Sequence, residues 1–267
     1  MDNRPIGVMD SGIGGLTVVK ELQSQLPNES IEFVGDQARL PYGVRPSEEV
    51  REFSMQIAQF LLQKNIKLLV IACNTATAAA LSYLQDKLQI PVIGVIAPGS
   101  AAALQLPQHN VIGVIATQKT IEDRAYSKEI NQLDAAITVI GLASQEFVAL
   151  VEEDLAGTPQ AQKVVTKKLS FYHDHPVDAL ILGCTHFPLL TKEIGQAMGA
   201  GVPLIDPGVA TVEDVIRLLK KQNLAANQAI TGSNFYTTGE PDKFNEVARK
   251  WLNNNKLNAK KIKLGDK

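Results

Sequence analysis

Cysteine is scarce here: 267 residues carry only two, Cys73 and Cys184, without a CxxC spacing. That scarcity excludes a disulfide scaffold and a thiolate zinc module. A charge excess is missing too, since 26 Lys plus Arg meet 28 Asp plus Glu for a formal net charge of −2. Such a balance provides no basic footprint for nucleic acid or an anionic membrane. Long apolar runs are absent: those at 68–72 and 92–97 are far too short to span a bilayer. The opening MDNRPIGVMD lacks the cationic start and apolar core of a signal peptide. The expectation is a cytoplasmic protein in a reducing setting, with no membrane and no nucleic-acid partner. At 45% hydrophobic residues the chain can still bury a sizeable core.

What is present is alternation. Short β-branched runs at 6–9, 31–35, 68–72 and 92–96 are separated by longer segments of helical period, and a second series follows at 111–116, 137–142, 179–183 and 202–206. In 47–64, for example, Val50, Phe53, Ile57, Phe60 and Leu61 form one apolar stripe. This pattern predicts an α/β fold with mostly parallel sheets flanked by helices. The two series superpose: Ile6-Gly7-Val8 on Ile112-Gly113-Val114, 31–35 on 137–141, Cys73 on Cys184, and Pro91 on Pro203. Near-constant offsets predict two pseudo-symmetric domains, 1–97 plus 207–267 and 98–206, with an active site in the cleft between them. APGSAAALQLPQHN (97–110) reads as the crossover between halves. A helical pattern, NFYTTGE (234–240) and an amphipathic segment with Trp251 follow, expected to return to the first half. The lysine-rich tail from Lys256 reads as a solvated end.

Ligands in parallel α/β sheets bind beyond the carboxyl ends of strands. Those positions hold Asp10-Ser11, Asp36, Cys73-Asn74-Thr75, Thr117, Cys184-Thr185-His186 and Asp206, nearly all polar or reactive. The loop DSGIGGLT (10–17) invites a dinucleotide reading with Asp36 on a ribose, but Thr17 replaces the last glycine and Asp10 would sit beside a pyrophosphate. A carboxylate-bearing ligand at the helix start, or a plain tight turn, reads equally from the same residues. In Pro41-Tyr42-Gly43, a turn by composition, the amides and the Tyr42 hydroxyl could hold an anion. Each thiol is expected near a helix N-terminus that favours its thiolate, with His186 as proton partner of Cys184 and Asp10 of Cys73. No recognisable ligand spacing marks a metal site.

A cysteine hydrolase needs one nucleophile and a separate base, and a redox pair needs sulfurs within bonding distance. Inverting a stereocentre needs one acid/base on each face of the substrate, which two duplicated half-domains supply. A thiol suits that work because its pKa is readily tuned toward neutrality.

DSGIGGLTV (10–18), PYG (41–43), ACNTA (72–76) and GCTHFPLL (183–190), in this order, closely resemble the glutamate racemase family across essentially the whole chain. The resemblance implies interconversion of L- and D-glutamate without pyridoxal phosphate, other cofactor or metal, supplying D-glutamate for peptidoglycan, in a homodimer. It implies Cys73 and Cys184 as the two bases, Cys73 acting on the D- and Cys184 on the L-enantiomer. Asp10 and His186 would assist them, with Glu152 as the further acid beside Glu153 and Asp154. Ser11, Pro41, Tyr42, Gly43, Asn74, Thr75, Thr117, Thr185 and His186 match substrate-contacting positions, as does Asp10. An aspartate or hydantoin racemase, a non-enzymatic two-lobed binding protein and a nicotinamide oxidoreductase are the competing readings.

Overall fold

The structure is a computed structural model that describes residues 1–228 and 232–265. It divides into two units, Met1–Val95 with Thr211–Lys267, and Ile96–Ala210. The first unit contains β1 (Ile6–Asp10), β2 (Ile31–Gly35), β3 (Leu68–Ile71) and β4 (Val92–Gly94). The second contains β5 (Val111–Ala116), β6 (Thr138–Ala143), β7 (Ala179–Gly183) and β8 (Leu204–Ile205). Two further strands, β9 (Asn234–Thr237) and β10 (Lys260–Lys261), belong to the first unit. The sheets run β10-β9-β2-β1-β3-β4 and β6-β5-β7-β8, with parallel pairing throughout the described ladders. Parallel sheets are covered on both faces, and every residue of β1, β2, β3 and β7 is buried accordingly. The expected α/β class is therefore what the chain adopts.

The two four-strand cores share one order, with β5, β6, β7 and β8 in the places of β1, β2, β3 and β4. Ile6 pairs with Leu68 as Ile112 pairs with Ala179, and Leu69 pairs with Val92 as Leu180 pairs with Leu204. These equivalences agree with the alignments of Cys73 on Cys184 and Pro91 on Pro203. The alignment of 31–35 on 137–141 does not agree: Ile6 pairs with Ile31, whereas Ile112 pairs with Val139, two residues beyond Ile137. A slip of two keeps each side chain on its own face, so the apolar pattern conceals it.

Two expectations are corrected. Residues 97–110 are not simply a crossover, because Ile96–Leu104 is a helix whose Ile96, Pro98, Gly99, Ser100 and Ala103 are buried. Alanine favours the helix, and a proline in the first turn costs no internal hydrogen bond. Gly99 is required there, since a Cβ would lie 2.8 Å from that of Pro207. The lysine-rich tail is likewise no solvated end. Leu257 and Ala259 are buried, and β10 adds an edge beyond β9. Lys260 and Lys261 are exposed on that edge, where lysine discourages further strand pairing.

A buried ion pair holds the amino ends of the first unit's strands. Lys67 Nζ donates to Glu29 Oε2 at 2.5 Å, to the Asp2 carbonyl at 2.7 Å and to the Leu224 carbonyl at 2.8 Å. Glu29 Oε1 accepts from the Ala226 amide at 2.8 Å. One lysine thus ties the N-terminal residues to the segment after helix Pro207–Lys221.

Candidate active site

In the first unit the candidate residues gather at the carboxyl ends of β1, β2 and β3. Asp10 ends β1 fully buried and accepts from the Gly12 amide at 3.0 Å. Packing around this loop is close: a Cβ on Gly15 would lie 2.6 Å from that of Asp10, and one on Gly35, at the end of β2, would lie 2.4 Å from the Gly12 carbonyl oxygen.

Cys73 leaves β3 as the N-cap of helix Asn74–Lys87 and is buried. Its Sγ accepts from the Ala76 amide at 3.4 Å and donates to Ser11 Oγ at 3.5 Å. A sulfur so placed receives the positive end of a fourteen-residue helix and a backbone donor, both of which favour thiolate. Asn74 and Thr75 are buried in the helix's first turn.

Asp36, fully buried beyond β2, is committed to protein partners. It accepts from Arg39 Nε at 2.6 Å, from Thr238 Oγ1 at 2.8 Å and from the Tyr42 hydroxyl. Burial, then the Asp36 charge and hydrogen bond, push the Tyr42 phenol far above its ordinary range. The Tyr42 hydroxyl therefore stays neutral and spends its proton on Asp36, which removes it as the expected donor to an anion. The same partners occupy Asp36, the ribose ligand of the competing dinucleotide reading. Gly43 is buried beside Tyr42, and Pro41 is exposed.

In the second unit the thiol is held differently. The Cys184 amide donates back to the Leu182 carbonyl at 2.9 Å, turning the chain sharply at Gly183 as β7 ends. No α-helix begins here, contrary to expectation: Phe187–Leu190 is a four-residue 3₁₀ turn, and the α-helix Thr191–Met198 starts beyond it. Pro188 is the second residue of that turn, where its missing amide costs no internal hydrogen bond.

Cys184 has a cation in place of a helix. His186 Nδ1 lies 3.8 Å from Cys184 Sγ, and His186 Nε2 lies 2.7 Å from Glu152 Oε1. The ring is 2% exposed. Burial opposes its charge, but hydrogen bonds to Cys184 and Glu152, with their charges, outweigh it and push the imidazole up to about 10. At neutral pH it is an imidazolium lying against the Cys184 sulfur. Glu152 ends helix Glu146–Glu152, and it is this carboxylate, in the run Glu152-Glu153-Asp154, that reaches the ring.

Thr117, after β5, caps helix Gln118–Glu122, and its hydroxyl lies 3.0 Å from that of Thr120. Thr185 is buried between Cys184 and His186. Among the described residues no group of three or more His, Cys, Asp or Glu is placed to hold a metal ion.

Tyr126, beside the turn at Gly183, is a position that the sequence does not single out. It is buried, and a Cβ on Gly183 would lie 3.0 Å from its Cε2. Burial, then the charges of Asp206 and Cys184, push its phenol well above the ordinary range. No local pattern around RAYSK announces this position, because the contact is made across the fold.

A family model described as Asp/Glu/Hydantoin racemase matches residues 6–215. The chain is 52% identical over 265 residues to a glutamate racemase of Pediococcus pentosaceus, covering 99% of this chain and 100% of that one. Among solved structures, a glutamate racemase isoform of Bacillus anthracis superposes with a TM-score of 0.95 at 39% identity, covering 98% of both chains. A glutamate racemase of Francisella tularensis, in complex with D-glutamate, superposes with a TM-score of 0.90 at 38% identity, covering 100% of this chain and 98% of that one. By family model, sequence and fold together, the chain belongs to the Asp/Glu/Hydantoin racemase family.

Proposed function

We propose that the chain is an amino-acid racemase that interconverts L- and D-glutamate by proton transfer at the α-carbon. Full-length similarity to glutamate racemases carries this reading, at 52% identity over 99% of the chain. Two strand-end thiols at equivalent register positions support it. The likeness to an aspartate racemase homologue of Pyrococcus horikoshii, at 16% identity and a TM-score of 0.59, is one of fold.

In the mechanism, Cys184 as thiolate removes the α-proton of L-glutamate and becomes a thiol. Cys73 as thiol delivers its proton to the opposite face and becomes a thiolate. The D-to-L direction runs in reverse, so no net proton is gained or lost. The α-proton is weakly acidic beside an ionised carboxylate, so aimed donors must stabilise the developing charge. Asn74, Thr75, Thr117 and Thr185 are assigned that role. His186, held by Glu152, sets its imidazolium beside Cys184, while the helix start and Ser11 serve Cys73; Asp10 assists there and at the substrate ammonium. The same reading has the enzyme acting in the cytoplasm as a homodimer and supplying D-glutamate for peptidoglycan.

The test is incubation of reduced protein with pure L-glutamate in heavy water, with nothing else added. Optical activity should decay as deuterium enters the α-position. Neither change in folded, reduced protein sinks the proposal. Running L-aspartate and a hydantoin beside it separates the related specificities.

A further inference from the structure

We infer that Tyr126 is a positioning residue for Cys184, its ring serving as the buttress of the turn that presents the thiol. The inference rests on the reading of Cys184 as an acid/base. Gly183, which precedes Cys184, is enclosed: a Cβ there would lie 2.8 Å from the Ile115 carbonyl oxygen, 3.0 Å from the Ala116 Cβ and 3.0 Å from Tyr126 Cε2. Strand β5 closes one side of the turn and the tyrosine ring another. The turn itself is closed by the short Cys184 amide to Leu182 carbonyl bond. The segment that follows is a four-residue 3₁₀ turn.

Tyr126 is itself well anchored. It lies in the first turn of helix Ala125–Leu133, and Arg124 before it takes a left-handed conformation at φ 51°. The ring is 2% exposed. Burial, then the charges of Asp206 and Cys184, act on its phenol. Tyr126 also lines a cavity of about 390 Å³ with Thr120, Arg124, Asn131 and Val139. A flexible aliphatic replacement can therefore move away from Gly183, whereas a phenylalanine ring keeps the contact. Proton transfer demands close aim, and a displacement of about 1 Å can cost on the order of 100-fold in rate.

The experiment compares Tyr126→Phe and Tyr126→Leu in the full chain. Alkylation of Cys184 and Cys73 by iodoacetamide is followed separately by peptide mass, beside steady-state racemisation. Tyr126→Phe should match the parent within about twofold on every measure, on the precision ordinary for such comparisons. Tyr126→Leu should raise the alkylation rate of Cys184 about fivefold or more while Cys73 stays within about twofold, and lower kcat about tenfold with KM little changed. Tyr126→Met, which fills volume without a rigid ring, carries the same expectation should the leucine variant not fold. An unchanged Cys184 rate in a folded aliphatic variant overturns the inference. Equal shifts of both thiols, or a phenylalanine variant as impaired as the aliphatic ones, overturn it as well. Because alkylation is read without turnover, absence of racemisation in the parent would count against the proposed reaction and leave the positioning result standing.

Discussion

His186 Nε2 and Glu152 Oε1 lie 2.7 Å apart, and the imidazole they share with Cys184 is pushed up to about 10. The pair makes a buried imidazolium the resident cation beside one thiol. Cys73, by contrast, has a helix start and a backbone amide at its sulfur. Two strand ends in equivalent register thus hold their thiols in different electrostatic settings.

The first prediction concerns pH. Replacing Glu152 by Gln removes the carboxylate charge that favours the imidazolium, so the His186 pKa falls. The alkaline limb of kcat against pH should move to lower pH, with the acid limb less affected. Stability gives an independent check. A histidine raised from 6.5 to about 10 stabilises the fold below the unfolded value and loses that contribution as pH rises through about 10. Thermal unfolding of the parent should therefore weaken from neutral pH to pH 10, and Glu152→Gln should flatten that dependence. Identical profiles for both proteins would contradict the assignment.

The second concerns the thiols themselves. Cys73→Ala and Cys184→Ala should each lower racemisation by on the order of 10³-fold or more, the scale of a lost acid/base. Each removes one face of the proton transfer. A single variant retaining parental kcat for L-to-D conversion would exclude the two-base scheme.

Much of this was legible in the sequence, for a physical reason. Strands buried on both faces must be continuous apolar runs, so IGVM, IEFVG, LLVI and ALILG declare themselves. The thiols follow two such runs, and GCTHFPLL shares its histidine with the electrostatics of Cys184. What stayed hidden depends on neighbours distant in sequence. NFYT and the lysine pair of β10 do not read as strands by themselves: β9 pairs on the edge that β2 offers, and β10 pairs on β9. The Tyr42 hydroxyl reads as available in sequence, but it donates its hydrogen bond to Asp36, six residues earlier. The helix expected after Cys184 gives way to a 3₁₀ turn at Pro188.

The third prediction tests the buried ion pair. The side chains of Lys67 and Glu29 are 0% and 3% exposed. Lys67→Met leaves the Glu29 carboxylate uncompensated and three acceptors short of a donor, so urea unfolding should show a loss of about 3–5 kcal/mol. Adding Glu29→Gln should recover part of the loss by removing the stranded charge. A Lys67→Met protein as stable as the parent would mean that water reaches Glu29.

The fourth tests whether the C-terminal segment is part of the first unit's core. Leu257 is 3% exposed and packs with Phe33, Phe235, Phe244 and Ala248 in one apolar cluster. Its carbonyl accepts from Arg249 Nε at 2.8 Å, and two residues on the Ala259 amide donates to Asn245 Oδ1 at 2.7 Å. A side chain so enclosed loses both transfer energy and packing when truncated. Leu257→Ala should therefore cost about 2–5 kcal/mol in urea unfolding. A solvated tail would lose less than about 0.5 kcal/mol, the range of ordinary surface changes. Amide exchange should agree with the larger figure: in Leu257→Ala the Ala259 amide should lose protection while Ile181, in the second unit's β7, keeps it.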